Sequence, residues 1–388
     1  MKAKKIKENI YWVGVIDWDM REFHGYKTQK GSTYNAYLII DEKIVLVDTV
    51  RNYLCSEMID RIKSIIDPSK IDYVISNHSE MDHSGSLPEI MNLAKNATLV
   101  CSTNGEKNLR RHFDLDAWKL KVVKTHDEIN IGKRNLQFVL MQMVHWPDSM
   151  ATYIKEDKLL LSNDAFGQHI ASYERFEEEI GFDIVLHEAK KYYANILLAY
   201  NKQTQKAINE IETLDIEMIA PSHGLIWQKH AKDIIKAYDY FSKDKYREKA
   251  VIIYDTMWGS TKKMALAIYK AFDEMDIHVE LKNLKTSHIS DIMTSVIDAK
   301  YICVGVPTLN NTMLPTMASF MNYITGLAPQ NRKAIVFGSH GWGGQGAKEV
   351  EAQLKKNGFE ILDFITNEYV PDENKLSSIT KKVKDILS

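Results

Sequence analysis

Ile75-Ser-Asn-His-Ser-Glu-Met-Asp-His-Ser-Gly-Ser86 crowds four metal-ligand side chains, His78, Glu80, Asp82 and His83, into six residues. The run before them, Tyr73-Val-Ile-Ser-Asn77, reads as a strand that ends where the ligands begin. Pro88 and Glu89 then suit the first turn of a helix. With 13 His and 52 Asp plus Glu in 388 residues, such a grouping is rare by chance. The segment is read as the centre of a metal site on the rim of a sheet.

Three more candidates stand at comparable places. His145 ends the apolar run 136–144, Asp164 follows Leu159-Leu-Leu-Ser-Asn163, and His223 follows Met218-Ile-Ala-Pro-Ser222. Taken alone, a histidine after a strand is more often a surface or hydrogen-bonded residue, and Asp164 would equally cap a turn. Beside the 78–83 cluster, all three are read as ligands.

The chain is long enough to expect two domains, with a boundary near Arg247: 1–247 and 248–388. In the first part, short strands alternate with helices. Strand-like runs fall at 10–16, 33–40, 43–47, 73–76, 98–101, 136–144, 152–154, 159–161 and 218–220. Helical stretches fall at 54–66, 185–200 and 206–214. Hairpin-like strands mixed with helices predict a layered αββα sandwich. A charged segment, 229–249, follows, and the pattern then changes to five apolar strands at 250–254, 278–284, 301–306, 334–337 and 359–365, separated by helices. That cadence predicts a five-stranded, doubly wound parallel sheet.

A formal net charge of -2 gives no electrostatic case for nucleic acid or an anionic membrane as partner. No stretch approaches the ~18–20 apolar residues of a membrane span. The basic start, Met1-Lys-Ala-Lys-Lys, is followed by too short an apolar run for a signal peptide. Cys55, Cys101 and Cys303 are scattered and odd in number, and no C-x-x-C occurs, so a reducing cytoplasm is expected.

In the second part, Tyr254-Asp-Thr-Met-Trp-Gly-Ser-Thr261 follows the first strand and opens a helix. It is neither a Walker loop nor a G-x-G-x-x-G turn, and it resembles the flavodoxin phosphate loop. Backbone N–H groups and hydroxyls at a helix N-terminus suit a phosphate. Two further strand-end loops, Val306-Pro-Thr-Leu-Asn-Asn311 and Ser339-His-Gly-Trp-Gly-Gly344, stand where that fold meets FMN. The candidate flavin residues are therefore Thr256, Met257, Trp258, Gly259, Ser260 and Thr261; Pro307, Thr308, Leu309, Asn310 and Asn311; and Ser339, His340, Gly341, Trp342, Gly343 and Gly344. Trp258 and Trp342 are expected as neighbours of the isoalloxazine ring; the plainer reading is surface tryptophans.

The ordered ligand set resembles the metallo-β-lactamase-like superfamily, whose dinuclear sites use H-x-H-x-D-H and a later His, Asp and His. Glu80 departs from that pattern, standing where the zinc hydrolases have His. That change, the flavin loops, and the stretches Trp18–Tyr37, His145-Trp-Pro-Asp-Ser149, Asn163-Asp-Ala-Phe-Gly-Gln-His169 and Ala220-Pro-Ser-His-Gly224 are similar to the flavodiiron proteins. The resemblance implies one metal at His78, Glu80 and His145, a second at Asp82, His83 and His223, and Asp164 bridging. It also implies that His24 and Tyr192 lie over the site, where a proton or hydrogen bond to bound oxygen species would come from. A packed helix aromatic is the alternative for Tyr192, and His169 fits no ligand slot and is read as structural.

Four imidazoles and three carboxylates without thiolate suit iron that binds a small gas. The resemblance implies a di-iron centre fed by FMN, reducing O₂ to water, NO to N₂O, or both. A reduced flavin and two ferrous ions together hold the four electrons that O₂ needs. It further implies an external donor, rubredoxin or reduced F420, and a head-to-tail homodimer or dimer of dimers. Two alternatives stand beside it. One is a dinuclear zinc hydrolase carrying a flavodoxin-like accessory domain, and the other is a flavodoxin-type carrier with a metal-free first domain.

Overall fold

The computed structural model describes residues 1–388. The chain forms two compact units. The first comprises 1–24, 28–192 and 200–242, and the second comprises 25–27, 193–199 and 243–388. The units are thus not continuous in sequence: two short segments of the first half count with the second unit, which a single boundary near Arg247 does not anticipate.

Two sheets build the first unit. One has seven strands in the order Lys4–Lys7, Ile10–Trp12, Tyr37–Ile39, Val45–Val47, Tyr73–Ile75, Thr98–Ser102, Lys119–Val123. Its last four strands run parallel. Parallel neighbours need crossovers, supplied by the helices Cys55–Lys63, Leu87–Leu93 and Thr103–His112. The other sheet has the order Glu128–Asn130, Asn135–Leu140, Met150–Ile154, Leu159–Asn163, Met218–Pro221.

One core joins the sheets. Trp12, Ile39, Val47, Ile75 and Val100 from the first meet Phe138, Met150, Ile154, Leu161 and Ala220 from the second. Because that core occupies the inner faces, the crossover helices take an outer one, which is the expected αββα sandwich. Four strand ends lead to the ligands: 73–75 to His78, 135–140 to His145, 159–163 to Asp164 and 218–221 to His223.

Three of the expected elements take a different form. The runs 10–16 and 33–40 each break into two strands, and Val15–Asp17 pairs with Ser32–Tyr34 in a separate ribbon. The break falls where two backbones touch: a Cβ on Gly14 would lie 2.3 Å from the Tyr34 carbonyl and 2.7 Å from Asn35 Cα. The helix expected at 185–200 stops at Tyr192 and passes through a π turn, Tyr193–Leu197. That widened turn lets Asn195 Nδ2 donate to Ser290 O at 3.1 Å while Tyr323 Oη donates to Asn195 Oδ1 at 2.8 Å.

In the second unit five parallel strands stand in the order His278–Asn283, Arg247–Tyr254, Ala299–Gly305, Lys333–His340, Glu360–Glu368, the 2-1-3-4-5 order of flavodoxin-like sheets. Helices Ser260–Asp273 and Glu373–Leu387 bury Met264, Ile268, Phe272, Ile379 and Val383 against Ile252, Cys303 and Ile335 of the sheet.

Candidate metal centre and flavin cavity

The strand 73–75 hands over to a loop and then to a one-turn helix, Met81–Ser84. Glu80 is extended (φ −61°, ψ 146°), whereas Asp82 and His83 lie in the helical turn, so the change of backbone separates the ligands into pairs. The loop is tied down on both sides. Asp48 Oδ1 accepts from Asn77 N at 2.7 Å, Thr49 Oγ1 donates to His83 O at 2.7 Å, and Ser84 Oγ donates to Ser79 O at 2.7 Å.

Seven side chains converge in two groups, His78, Glu80, His145 and Asp164 in one, Asp82, His83 and His223 in the other. Within the first, His78 Nε2 is 3.3 Å from Glu80 Oε2, and His145 Nε2 is 3.4 Å from the same oxygen. Asp164 turns Oδ2 to this group, 3.3 Å from His145 Nε2 and 3.5 Å from His78 Nε2. Its Oδ1 faces the second group, 3.1 Å from His83 Nε2 and 3.3 Å from His223 Nε2. Asp82 completes that group at 3.4 Å from His83 Nε2 and 3.3 Å from His223 Nε2. Donors bound ~2.1 Å from a common ion stand roughly 3.0–3.5 Å from one another, so these spacings are those of coordination polyhedra.

The residues fit a metal pair on two further counts. Both carboxylate oxygens of Asp82 and of Asp164, and both ring nitrogens of His83, are buried and make no hydrogen bond. Such groups are costly to bury unless a cation satisfies them. The protonation balance agrees. Burial alone would raise the carboxyls, but the facing imidazoles reverse it, holding Glu80 at about 2 and Asp82 and Asp164 below the usual carboxylate range. Burial likewise opposes protonation of His78, His83 and His223, yet the carboxylates raise all three, His223 to about 10. Metal ions bound by this cluster would displace those protons.

Two residues that sequence reasoning missed orient the imidazoles. Asp148 Oδ2 lies 3.1 Å from His78 Nδ1, and Thr33 O accepts from His223 Nδ1 at 2.8 Å. Each favours the tautomer that would leave Nε2 to coordinate a metal. Asp148 stood within the motif quoted at 145–149, three residues past a ligand; no sequence signal marks a backbone carbonyl such as that of Thr33.

His24 lies beside the first group, its Nε2 2.7 Å from Glu80 Oε1, with its side chain 58% exposed. Tyr192 is buried, its hydroxyl makes no hydrogen bond, and its ring centre stands 6.2 Å from that of His223. His169 packs between Phe23, Tyr192 and His223, with Nδ1 2.7 Å from Ser32 Oγ.

In the second unit a cavity of about 290 Å³ opens among the carboxyl ends of the strands, lined by Thr256, Met257, Trp258, Ser260, Pro307, Thr308, Ser339, His340 and Gly341. Tyr369 and Val370, after the fifth strand, complete the wall and were not anticipated. No Lys or Arg lines it, so a phosphate bound here would rest on N–H groups and hydroxyls at the start of helix 260–273. Gly259 stands just before that helix with φ +91°, a conformation that excludes most side chains. Thr261 is buried and pairs its hydroxyl with Ser339 Oγ at 2.8 Å. Leu309, Asn310, Asn311, Gly343 and Gly344 lie in the same loops without lining the cavity, and Trp342 and Trp258 are 83% and 93% exposed.

Fold and site together define a two-domain protein with a metallo-β-lactamase-like sandwich, a dinuclear ligand set and a flavodoxin-like domain. Comparison with known proteins agrees. A family described as ODP family beta lactamase matches residues 33–224, and the flavodoxin family matches 252–379. A nitric oxide reductase from Moorella thermoacetica is 43% identical over 361 residues, 92% of this chain and 90% of that one. Among solved structures, the rubredoxin oxygen:oxidoreductase of Desulfovibrio gigas is 37% identical with a TM-score of 0.96 over 100% of both chains. The flavodiiron protein of Giardia intestinalis is 33% identical with a TM-score of 0.97, over 100% of this chain and 96% of that one. The chain belongs to the flavodiiron protein family.

Proposed function

We propose that this chain is a flavodiiron oxidoreductase that reduces O₂ to water, NO to N₂O, or both. The observation that carries the reading is Asp164, whose two oxygens serve two separate histidine–carboxylate groups. His78, Glu80 and His145 would hold one iron, Asp82, His83 and His223 the other, with Asp164 shared between them. The loops around the 290 Å³ cavity would hold FMN. When bound, the iron pair and the flavin supply the electrons for gas reduction.

The chain's own residues set the conditions for that chemistry. Of the seven ligands, Glu80 and His145 keep the largest exposure, 8% and 7%, so the site is approached from their side. His24 stands on that side and holds a proton at Nε2 against Glu80 Oε1. Glu80, in place of an imidazole, adds a negative charge that favours the higher oxidation state of iron over zinc chemistry. That residue and the flavin cavity disfavour the hydrolase alternative.

Rubredoxin or reduced F420 is the donor class this reading favours, and the name of the Desulfovibrio gigas relative supports the first. No helix is long and apolar enough to cross a membrane, in keeping with action in the cytoplasm. The exposed Trp258 and Trp342 at the flavin loops support a head-to-tail second copy as the group that covers them.

Anaerobic purification with iron and FMN quantified, then electrode measurement of O₂ and NO uptake under reduced rubredoxin or F420, tests the reading. Iron, bound flavin and rapid uptake of one gas are expected. Two zinc ions and no flavin would overturn it, and an active, strictly monomeric protein would remove the dimer.

A further inference from the structure

We propose that Asn35 is the positioning residue of the second metal group. It clamps the chain on both sides of His223, so a change at this side chain loosens metal at Asp82, His83 and His223 and leaves the first group in place. The inference rests on the metal-pair reading above.

Asn35 is fully buried and spends its three N–H bonds on the His223 segment. Its backbone N donates to Ser222 O at 2.7 Å, and Nδ2 donates to Pro221 O at 2.8 Å and Gly224 O at 3.0 Å. These carbonyls bracket His223. The remaining side-chain atom, Oδ1, accepts from Trp12 Nε1 at 2.7 Å. The neighbours dictate the amide's orientation: turned over, Oδ1 would face two carbonyl oxygens and the NH₂ group would face the indole N–H. Trp12 is itself held fast, buried, with the guanidinium carbons of Arg175 and Arg61 4.3 Å and 5.1 Å from its ring centre.

The same stretch of chain aims the imidazole. Thr33 O accepts from His223 Nδ1 at 2.8 Å, and Thr33 Oγ1 accepts from Gly224 N at 2.7 Å. Nε2 is thereby directed at Asp82 Oδ2 and Asp164 Oδ1, 3.3 Å from each. None of these bonds reaches His78, Glu80 or His145, and His78 is oriented separately by Asp148. The imidazoles of His78 and His223 thus have separate orienting partners. Removing an outer partner of a metal-bound histidine typically costs roughly 10–100-fold in metal affinity.

The test follows iron leaving the full-length protein, purified anaerobically, into the ferrous chelator ferrozine. The variant is Asn35→Asp, which keeps size and the oxygen for Trp12 but sets a carboxylate against the Pro221 and Gly224 carbonyls. One phase of release should accelerate about 10-fold or more while the other stays within about two-fold. The spin-coupled EPR signal of an iron pair should fade, with bound FMN near wild type. A parallel acceleration of both phases, or no change in either, overturns the proposal. Should Asn35→Asp fail to fold, Asn35→Ala, which removes both Nδ2 bonds without adding a charge, must give the same one-phase effect. Wild-type protein holding no iron pair would instead defeat the functional reading itself.

Discussion

Asp148 Oδ2 lies 3.1 Å from His78 Nδ1, and neither side chain is reached by solvent. The carboxylate is anchored in turn, accepting from Ser79 N at 2.7 Å and from Asn108 Nδ2 at 3.0 Å. With its Nδ1 proton engaged there, His78 offers Nε2 to the metal. Asp148→Ala should lower affinity at the first metal position by roughly 10–100-fold, the mirror image of the effect at Asn35. Iron per chain after dialysis against chelator measures it; full retention would show that the pair does not support the ligand.

Asp164 is the residue both groups share, so its loss should be the most damaging single change at the site. Asp164→Ala leaves four imidazoles without their common carboxylate, and bound iron should fall from both positions. Gas consumption should drop about 100-fold or more, on the scale of lost metal. Elemental analysis and an oxygen or NO electrode decide it, and wild-type rates would reject the bridging assignment.

Gly224 has φ +78°, and a Cβ there would lie 1.6 Å from Gln168 Oε1 and 2.2 Å from Gln168 O. The side-chain oxygen is able to swing away, but the backbone carbonyl is not. Gly224→Ala should cost roughly 2–4 kcal/mol and lower the melting temperature by ~10 °C, with iron loss at the His223 position as a second readout.

A pH effect is expected in the second unit. Burial opposes ionisation of Glu280, but hydrogen bonds from Lys249, Lys282 and Ser295 hold its carboxyl at about 2 against an ordinary 4.5. Lys249 Nζ lies 2.6 Å from Glu280 Oε1 and 3.2 Å from Asp298 Oδ1. A depressed carboxyl stabilises the fold fully above its unfolded value and loses that contribution as pH falls through the folded value. The ion group should therefore stabilise the unit above pH 4.5 and fade toward about 2. Melting curves between pH 6 and 2 should show a steeper loss in wild type than in Glu280→Gln; parallel curves would remove Glu280 as the cause.

Much of the centre was legible without coordinates because its chemistry is local in kind. Imidazoles and carboxylates at strand ends are recognisable by type, and His78, Glu80, Asp82 and His83 share one turn of chain. The five-strand cadence of the second half was equally readable, since buried parallel strands are continuous apolar runs. Boundaries were less so. The strand pairs at 10–17 and 32–39 divide where Gly14 and Asn35 touch backbone to backbone, and nothing in either run announces its partner.

What the sequence by itself determined is which side chains are available to bind metal and what charge they bring, including the carboxylate at Glu80. Which carboxylate oxygen serves which group, and which partner turns each imidazole, was decided only by tertiary structure. Asp148 is 70 residues from His78, and Thr33 is 190 from His223. Hydrogen bonds act over about 3 Å of space whatever their separation along the chain. Ligand identity is written in residue type, and ligand orientation in the packing that brings distant backbone and side-chain atoms within that reach.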